Sequence, residues 1–215
     1  MTNQKLSGYI DHTLLKASAE WAEIKKLCAE AIRYGAASVC VPPCYVRRIR
    51  DEYGDQLRIC TVIGFPHGNS VPTAKMVEAR QAVADGADEI DMVINISDAK
   101  NGDFGKVLSE IKLVREAASE AVLKVIVEAC YLTEQEKIRI CGIVSDAGAD
   151  YIKTSTGFGP AGASLEDVRL FRRHIGPNVK IKAAGGIRTR EALEDFIEAG
   201  CSRIGASCTG EILGG

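Results

Sequence analysis

The sequence has little that would mark a membrane, secreted or nucleic-acid-binding protein. No apolar run reaches the roughly 18 residues of a membrane-spanning helix. The N-terminal stretch MTNQKLSGYIDHTLLKAS lacks the long apolar core of a signal peptide. A formal net charge of −2 offers no basic face to nucleic acid. We therefore expect a cytoplasmic protein with neither a membrane nor a nucleic acid as partner.

Clustered metal ligands are also missing. The eight cysteines contain no C-x-x-C pair and are scattered through apolar segments. The three histidines, His12, His67 and His174, are dispersed, and we assign none of them a catalytic role. Because a zinc site normally gathers its ligands at short spacing, we expect reduced cysteines that mostly fill the core, and no metal.

No low-complexity segment or Pro/Ser-rich linker divides the chain. Its 215 residues are enough for one good-sized core and short for two domains. Apolar residues make up 46% and charged residues 26%, which is ordinary for a globular protein. We expect a single domain over residues 1–215.

Four segments share one layout, in which a helical pattern ends at a glycine and a short strand follows. The glycines are Gly35, Gly86, Gly148 and Gly200, and each suits the left-handed position that stops a helix. Eight strands are predicted, at 8–14, 37–42, 58–65, 89–95, 123–129, 151–155, 179–184 and 203–207. Helical patterns lie between them at about 19–34, 43–53, 73–85, 103–120, 134–147, 165–175 and 189–199. This alternation favours a closed (β/α)8 TIM barrel of the α/β class, with a doubly wound open sheet as the alternative.

Charged residues occur on the strand faces that should point into the barrel. Side chains alternate along a strand, so Ile90, Ile152 and Ile181, if they face the helices, turn their neighbours inward. A buried salt-bridge network is the plain structural interpretation, but the carboxyl ends of the strands are where barrel active sites lie. The charged residues that we place together at this end are Asp11, Asp91, Glu128, Lys153 and Lys182.

Lys153 and Lys182 fall on neighbouring strands, about 4.8 Å apart. Two ammonium groups at that separation disfavour each other's charge, and burial adds to the effect. One of the two lysines should therefore lose its proton below the free value of about 10.4. A neutral amine beside a cation is suited to attack on a carbonyl and formation of a Schiff base.

Two glycine-containing turns follow the last two predicted strands. In KAAGGIRTRE, Gly185 and Gly186 allow backbone N–H groups to approach an anion, and Arg188 supplies a cation. The second turn is RIGASCTG at 203–210. Loops after strands 7 and 8 frequently bind phosphate in such barrels. A phosphate at one end and an amine at the other indicate a phosphosugar with a carbonyl group.

These motifs resemble those of the deoxyribose-phosphate aldolase family. The segments that carry the resemblance are DHTLL, GADEIDMVIN, KVIVEA, KTSTGF, AAGGIR and RIGAS, which together extend from residue 11 to residue 207. The KTSTG and EIDMV segments are specific, whereas a GG loop alone would not be. The resemblance implies a class I aldolase that reversibly cleaves 2-deoxy-D-ribose 5-phosphate into D-glyceraldehyde 3-phosphate and acetaldehyde, without a cofactor.

Residue roles follow from the resemblance by position. The Schiff-base lysine falls on Lys153 and its partner lysine on Lys182. The proton-shuttling aspartate falls on Asp91, and the aspartate that pairs with the partner lysine falls on Asp11. Substrate and phosphate contacts are expected at Thr13, Cys40, Thr156, Gly157, Gly185, Gly186, Arg188, Gly205, Ser207 and Cys208.

This chain departs from the family pattern at two of the positions around the phosphate. Cys208 stands where many members have a serine, and Phe158 stands where some have a lysine. Cys40, at the end of strand 2, is expected to be the cysteine most open to reactive aldehydes. Self-association into a dimer or larger assembly is expected from the resemblance alone.

Two other functions fit the same barrel. A phosphosugar isomerase would use a carboxylate base and would not need two inward lysines. A non-enzymatic phosphate-binding barrel would keep Lys153 protonated and inert. Covalent trapping of an aldehyde on one lysine separates both from the aldolase.

Overall fold

The computed structural model describes residues 1–214 and contains a closed barrel of parallel strands. The strands pair in chain order from β1 to β8, and β8 pairs with β1. They are β1 Ile10–Thr13, β2 Ser38–Val41, β3 Ile59–Ile63, β4 Glu89–Val93, β5 Val122–Ile126, β6 Tyr151–Lys153, β7 Lys180–Ala184 and β8 Arg203–Ala206. The closed barrel is confirmed, and the open sheet is excluded because no strand is left at an edge.

Helices cover the outside of the barrel. They are α1 Asn3–Ser7, α2 Trp21–Tyr34, α3 Val46–Tyr53, α4 Pro72–Ala84, α5 Ile96–Lys100, α6 Phe104–Ala117, α7 Glu134–Asp146, α8 Leu165–His174, α9 Arg190–Ala199 and α10 Thr209–Leu213. The seven helices predicted between the strands are all present, and α10 follows the last strand, whereas α1 and α5 were not predicted. Each of these two has five residues, which is too few to show a helical period in the sequence. No helix within residues 1–214 combines the length and apolarity needed to cross a membrane.

The repeated glycines end their helices as predicted. Gly35 follows α2 with φ 68° and Gly200 follows α9 with φ 118°, both in the left-handed region. Gly86 and Gly148 come one residue later, after the C-caps of α4 and α7, with φ 100° and 72°. Each glycine turns the chain from a helix towards the next strand.

The apolar core lies between the barrel and the helices. On β4, Ile90 and Met92 are fully buried on the helix side, and they alternate with Glu89 and Asp91 on the inner side. Burying an isoleucine in this layer contributes about 1.5–3 kcal/mol. The outer layer therefore stabilises the fold, while the interior of the barrel contains charged side chains beside a small cluster of Cys40, Cys60 and Val62.

Candidate active site

Lys153 and Lys182 face each other across neighbouring strands, as expected. They are register partners on β6 and β7, and both are buried. Their nitrogens donate to the same atom, Oδ2 of Asp91, at 2.7 Å and 2.6 Å. A single carboxylate oxygen therefore separates the two amino groups.

Asp11 belongs to the same cluster. Its Oδ2 accepts a hydrogen bond from Lys182, and its Oδ1 accepts bonds from Ser38 Oγ at 2.7 Å and Arg203 at 2.6 Å. The inward placement of Asp11 is therefore confirmed, and it pairs with Lys182 as the resemblance implies.

Two cations in the barrel were missed by the sequence reasoning. Lys124 Nζ lies 2.7 Å from both Asp91 Oδ1 and Glu89 Oε2, and Arg203 lies 2.9 Å from Glu89 Oε2. Strand alternation puts Lys124 on the same face as Glu128, which was expected to point inward, so the sequence pattern could have identified it. Charged residues on the inner face of β5 and β8 extend the cluster below the two predicted lysines.

Counter-charges control the ionisation of this interior. Burial opposes a charge on Lys182, but the carboxylates of Asp11 and Asp91 outweigh it and raise its pKa above the usual lysine value. Burial likewise opposes ionisation of Asp91, yet Lys124, Lys153 and Lys182 hold its pKa well below the usual carboxyl range. The argument from lysine–lysine repulsion did not include the carboxylates between the cations, and these carboxylates keep Lys182 charged, in agreement with its expected role as the cation beside Lys153.

Glu128 does not join the lysine cluster. It is buried beyond the end of β5, but its carboxylate turns to the loop after β6 and accepts hydrogen bonds from Thr156. β5 ends at Ile126, so the alternation that placed Glu128 inward no longer applies two residues later.

A cavity of about 300 Å³ opens above the lysine cluster. Most of the residues expected to contact substrate line it: Thr13, Lys153, Thr156, Gly157, Gly185, Gly186, Arg188, Gly205 and Ser207. Lys16, which sequence reasoning missed, is also on the wall and adds a second cation near Arg188. The cavity thus has an amine at its floor and cations with glycine-rich turns along one side.

Glycine contacts bring the loops after β6 and β7 together. Gly185 and Gly186 have φ 88° and 81°, which other residues rarely adopt. A β-carbon on Gly162 would lie 2.2 Å from the carbonyl oxygen of Gly185. Because neither loop carries a side chain at this contact, their backbones approach closely beside the cavity.

Two expected contacts are not on the cavity wall. Cys40 faces the barrel interior but is fully buried beside Cys60, so the expectation that it is the most open cysteine is wrong; the exposed one is Cys44. Cys208 caps α10, and its Sγ points to the carbonyl oxygen of Ile187 at 3.9 Å. Burial and the nearby Glu211 raise the pKa of the Cys208 thiol.

His12 has a structural environment. It lies on β1 and is buried on the helix side, with Nε2 3.0 Å from Glu30 Oε2 and Nδ1 2.7 Å from Thr209 Oγ1. The ring therefore connects β1 to α2 and α10.

Two groups of buried side chains bring potential metal ligands close together. Cys40, Cys60 and Asp91 have ligand atoms within 4.8 Å of one another, as have Asp11, Cys60 and Glu89. Burial raises the pKa of the Cys60 thiol well above its usual value, and the carboxylates already pair with ammonium or guanidinium groups. This donor set does not favour a cation.

Known proteins match this chain over nearly its whole length. The sequence model of the DeoC/LacD family aldolases matches residues 6–214. The deoxyribose-phosphate aldolase of Clostridium botulinum is 58% identical over 207 residues, covering 96% of this chain and 94% of that protein. A solved structure from Coccidioides immitis has a TM-score of 0.96 at 42% identity, covering 100% of this chain and 86% of the other. The deoxyribose phosphate aldolase from Aeropyrum pernix, described as tetrameric, has a TM-score of 0.92 at 31% identity, covering 99% and 91% of the two chains.

Proposed function

Because this chain belongs to the DeoC/LacD family of aldolases, we propose that it reversibly cleaves 2-deoxy-D-ribose 5-phosphate into D-glyceraldehyde 3-phosphate and acetaldehyde through a Schiff base on Lys153. The observation that carries this proposal is the pair of buried lysines that share one oxygen of Asp91 at the floor of a cavity. A phosphosugar isomerase would have no use for that pair.

Lys153 is the lysine of the cluster that a substrate can reach. It lines the cavity, whereas Lys124 and Lys182 are fully buried and do not. It also has one carboxylate partner within hydrogen-bonding distance, Asp91, which it shares with the other two lysines. Access and the small number of counter-charges support Lys153 as the nucleophile.

The buried charges inside the barrel nearly balance. The interior holds the cations Lys124, Lys153, Lys182 and Arg203 against the carboxylates of Asp11, Glu89 and Asp91. With Lys153 neutral, the remaining cations and the carboxylates are equal in number. Burial penalises net charge, and attack on a carbonyl needs an amine that has given up its proton.

The chemistry then proceeds in steps that these side chains can support. The Lys153 amine attacks C1 of the open-chain sugar, and Lys182 and Asp91 carry protons for loss of water to the iminium ion. The iminium withdraws electrons as the C3 hydroxyl loses its proton, through a water to Asp91, and the C2–C3 bond breaks. D-Glyceraldehyde 3-phosphate leaves, and the enamine that remains is protonated and hydrolysed to acetaldehyde.

The phosphate is proposed to lie on the β7–β8 side of the cavity. Backbone N–H groups around Gly185, Gly186, Gly205 and Ser207, with the exposed cation of Arg188, suit an anion. Binding energy from the phosphate places C1 over Lys153 and lowers the barrier to attack. Phe158 supplies no charge there, so Arg188 and Lys16 are the side-chain cations of this site.

The wider setting is proposed in the same way. Residues 1–215 would act as one catalytic domain in the cytoplasm, in deoxyribonucleoside breakdown, without a cofactor. We also propose that this chain forms a homo-oligomer, since the relative from Aeropyrum pernix is described as tetrameric. Analytical ultracentrifugation would measure the oligomeric state.

Borohydride reduction in the presence of acetaldehyde tests the Schiff base. We expect one ethyl group on Lys153, seen by intact mass and peptide mapping, and no adduct and no cleavage in Lys153→Met. Lys180→Met is the matched control, because Lys180 is an exposed lysine on β7, and it should keep both reactions. Trapping on another lysine in the unmodified protein would contradict the assignment.

A further inference from the structure

Glu128 has a left-handed backbone conformation, which residues other than glycine rarely adopt. Its φ is 48°, and within residues 1–214 it is the one non-glycine residue with a positive φ. A left-handed glutamate persists when its surroundings hold it there, and such residues cluster at functional sites. The side chain therefore has a role that outweighs the backbone preference.

The carboxylate of Glu128 is buried without a counter-ion. It is 2% exposed, and no lysine, arginine or histidine nitrogen among residues 1–214 lies within ion-pair distance. Asp91 and Glu110, also buried, each bond to a lysine. The main partner of Glu128 is Thr156, whose backbone N–H lies 3.2 Å from both carboxylate oxygens and whose hydroxyl donates to Oε2. The Cys130 thiol also lies 4.0 Å from Oε1.

These bonds hold the segment that follows Lys153. The Thr156 hydroxyl oxygen also accepts from the Phe158 N–H at 3.0 Å, so Glu128, Thr156 and Phe158 form one chain of contacts. Gly159 packs on the carboxylate, where a β-carbon would lie 3.2 Å from Glu128 Cδ. Gly157, between the bonded residues, is on the cavity wall.

We propose that Glu128 is a positioning residue that fixes the Thr156–Gly159 loop and thereby sets affinity for the phosphorylated end of the substrate. This inference rests on the proposed function. Glu128 lines a neighbouring cavity and not the one that contains Lys153, so it touches neither the reacting amine nor its proton carriers. Loss of its carboxylate should loosen phosphate binding and leave Schiff-base formation largely intact.

Glu128→Asn tests the role with little disturbance of the backbone. Asparagine accepts a left-handed φ, but its shorter side chain cannot reach Thr156. For deoxyribose 5-phosphate we expect KM to rise ~10-fold with a smaller change in kcat, in line with loss of a hydrogen bond to a charged group. KM for free deoxyribose and borohydride trapping of acetaldehyde should stay near their original values. Glu134→Gln, at an exposed glutamate in the first turn of α7, is the matched control and should change none of these.

A double-mutant cycle with Thr156→Val tests whether the two residues act together. If they do, Thr156→Val should raise KM much less in the Glu128→Asn background than alone. Hydrogen exchange gives a readout independent of activity: the Thr156 and Phe158 amides should exchange faster in Glu128→Asn.

Several results would overturn the inference. Equal slowing of both sugars, loss of trapping, additive effects in the cycle, or unchanged amide exchange in Glu128→Asn would each remove the positioning role. If the unsubstituted protein does not cleave deoxyribose 5-phosphate, the proposed function is contradicted instead. Hydrogen exchange at the Thr156 and Phe158 amides would still test whether Glu128 holds the loop.

Discussion

At the scale of single residues, three buried lysines have similar partners but differ in their access to the cavity. Lys124 and Lys182 have no exposure, whereas Lys153 is 3% exposed and lines the cavity. Asp91 contacts all three, with Lys124 on one carboxylate oxygen and Lys153 and Lys182 on the other. The site therefore separates one accessible amine from two amines that hold their charge in the interior.

Lys182 should tune the pH range of the reaction. Its pKa is raised, so it carries a positive charge at neutral pH beside the amine of Lys153. We expect Lys182→Met to lower kcat by ~100-fold or more through loss of a proton carrier. Removing a fixed positive charge also favours the protonated form of a neighbouring amine, so the acid limb of the pH–rate profile should move to higher pH.

The pH profile of kcat/KM for Lys182→Met, set beside that of Lys180→Met, checks this expectation. Residual activity with an unshifted acid limb would mean that Lys182 carries protons without influencing the charge of Lys153. Circular dichroism should accompany the assay, because Lys182 neutralises Asp11 and Asp91 in the folded barrel.

At the scale of elements, regular alternation accounts for what the sequence could predict. Period-two patterns on β4, β6 and β7 placed Asp91, Lys153 and Lys182 inside the barrel, and the structure confirms all three. Lys124 follows the same rule, but it lies in the middle of β5, away from the carboxyl ends of the strands where barrel active sites lie. The rule could not place Glu128, since its left-handed φ is set by contacts with a loop distant in sequence. Alternation is a local property, whereas loop direction depends on tertiary contacts.

The close contact between the β6–α8 and β7–α9 loops gives a prediction at this scale. Gly162→Ala would place a β-carbon 2.2 Å from Gly185 O, so the loops must separate. We expect a loss of about 1–3 kcal/mol in the free energy of unfolding. KM for deoxyribose 5-phosphate should rise more than KM for free deoxyribose, because the shift acts on the proposed phosphate side.

Gly105→Ala provides the control for this substitution. Gly105 lies in the first turn of α6, and an added β-carbon there meets nothing within 4 Å. It should leave both KM values unchanged and slightly stabilise the helix. A Gly162→Ala variant that behaves like Gly105→Ala in both assays would show that the two loops have room to adjust.

At the scale of the whole molecule, the barrel buries a group of charged side chains at its centre, where most proteins bury apolar ones. Its main apolar core lies outside the strands, and its interior contains buried lysines, a buried arginine and buried carboxylates. Buried pairs of this kind stabilise a fold weakly, but removing one partner leaves an uncompensated charge and costs several kcal/mol. The pairing of these buried charges therefore affects the stability of the entire barrel.

Acid unfolding should reveal this dependence, with Asp11 as the probe. Burial opposes its charge, but Lys182, Lys124 and Arg203 lower its pKa below the usual aspartate value in the folded state. A carboxyl group with a lowered folded pKa contributes stability that is present above its unfolded pKa of about 3.9 and is lost as the pH falls through the folded pKa. Asp11→Asn should thus lower the free energy of unfolding by about 3–5 kcal/mol at pH 7. Urea unfolding across a pH series should show the gap between the two proteins shrinking below about pH 4, while the exposed Asp146→Asn shows no such gap. A gap that stays constant into strong acid would mean that Asp11 contributes through packing and hydrogen-bond geometry and not through its charge.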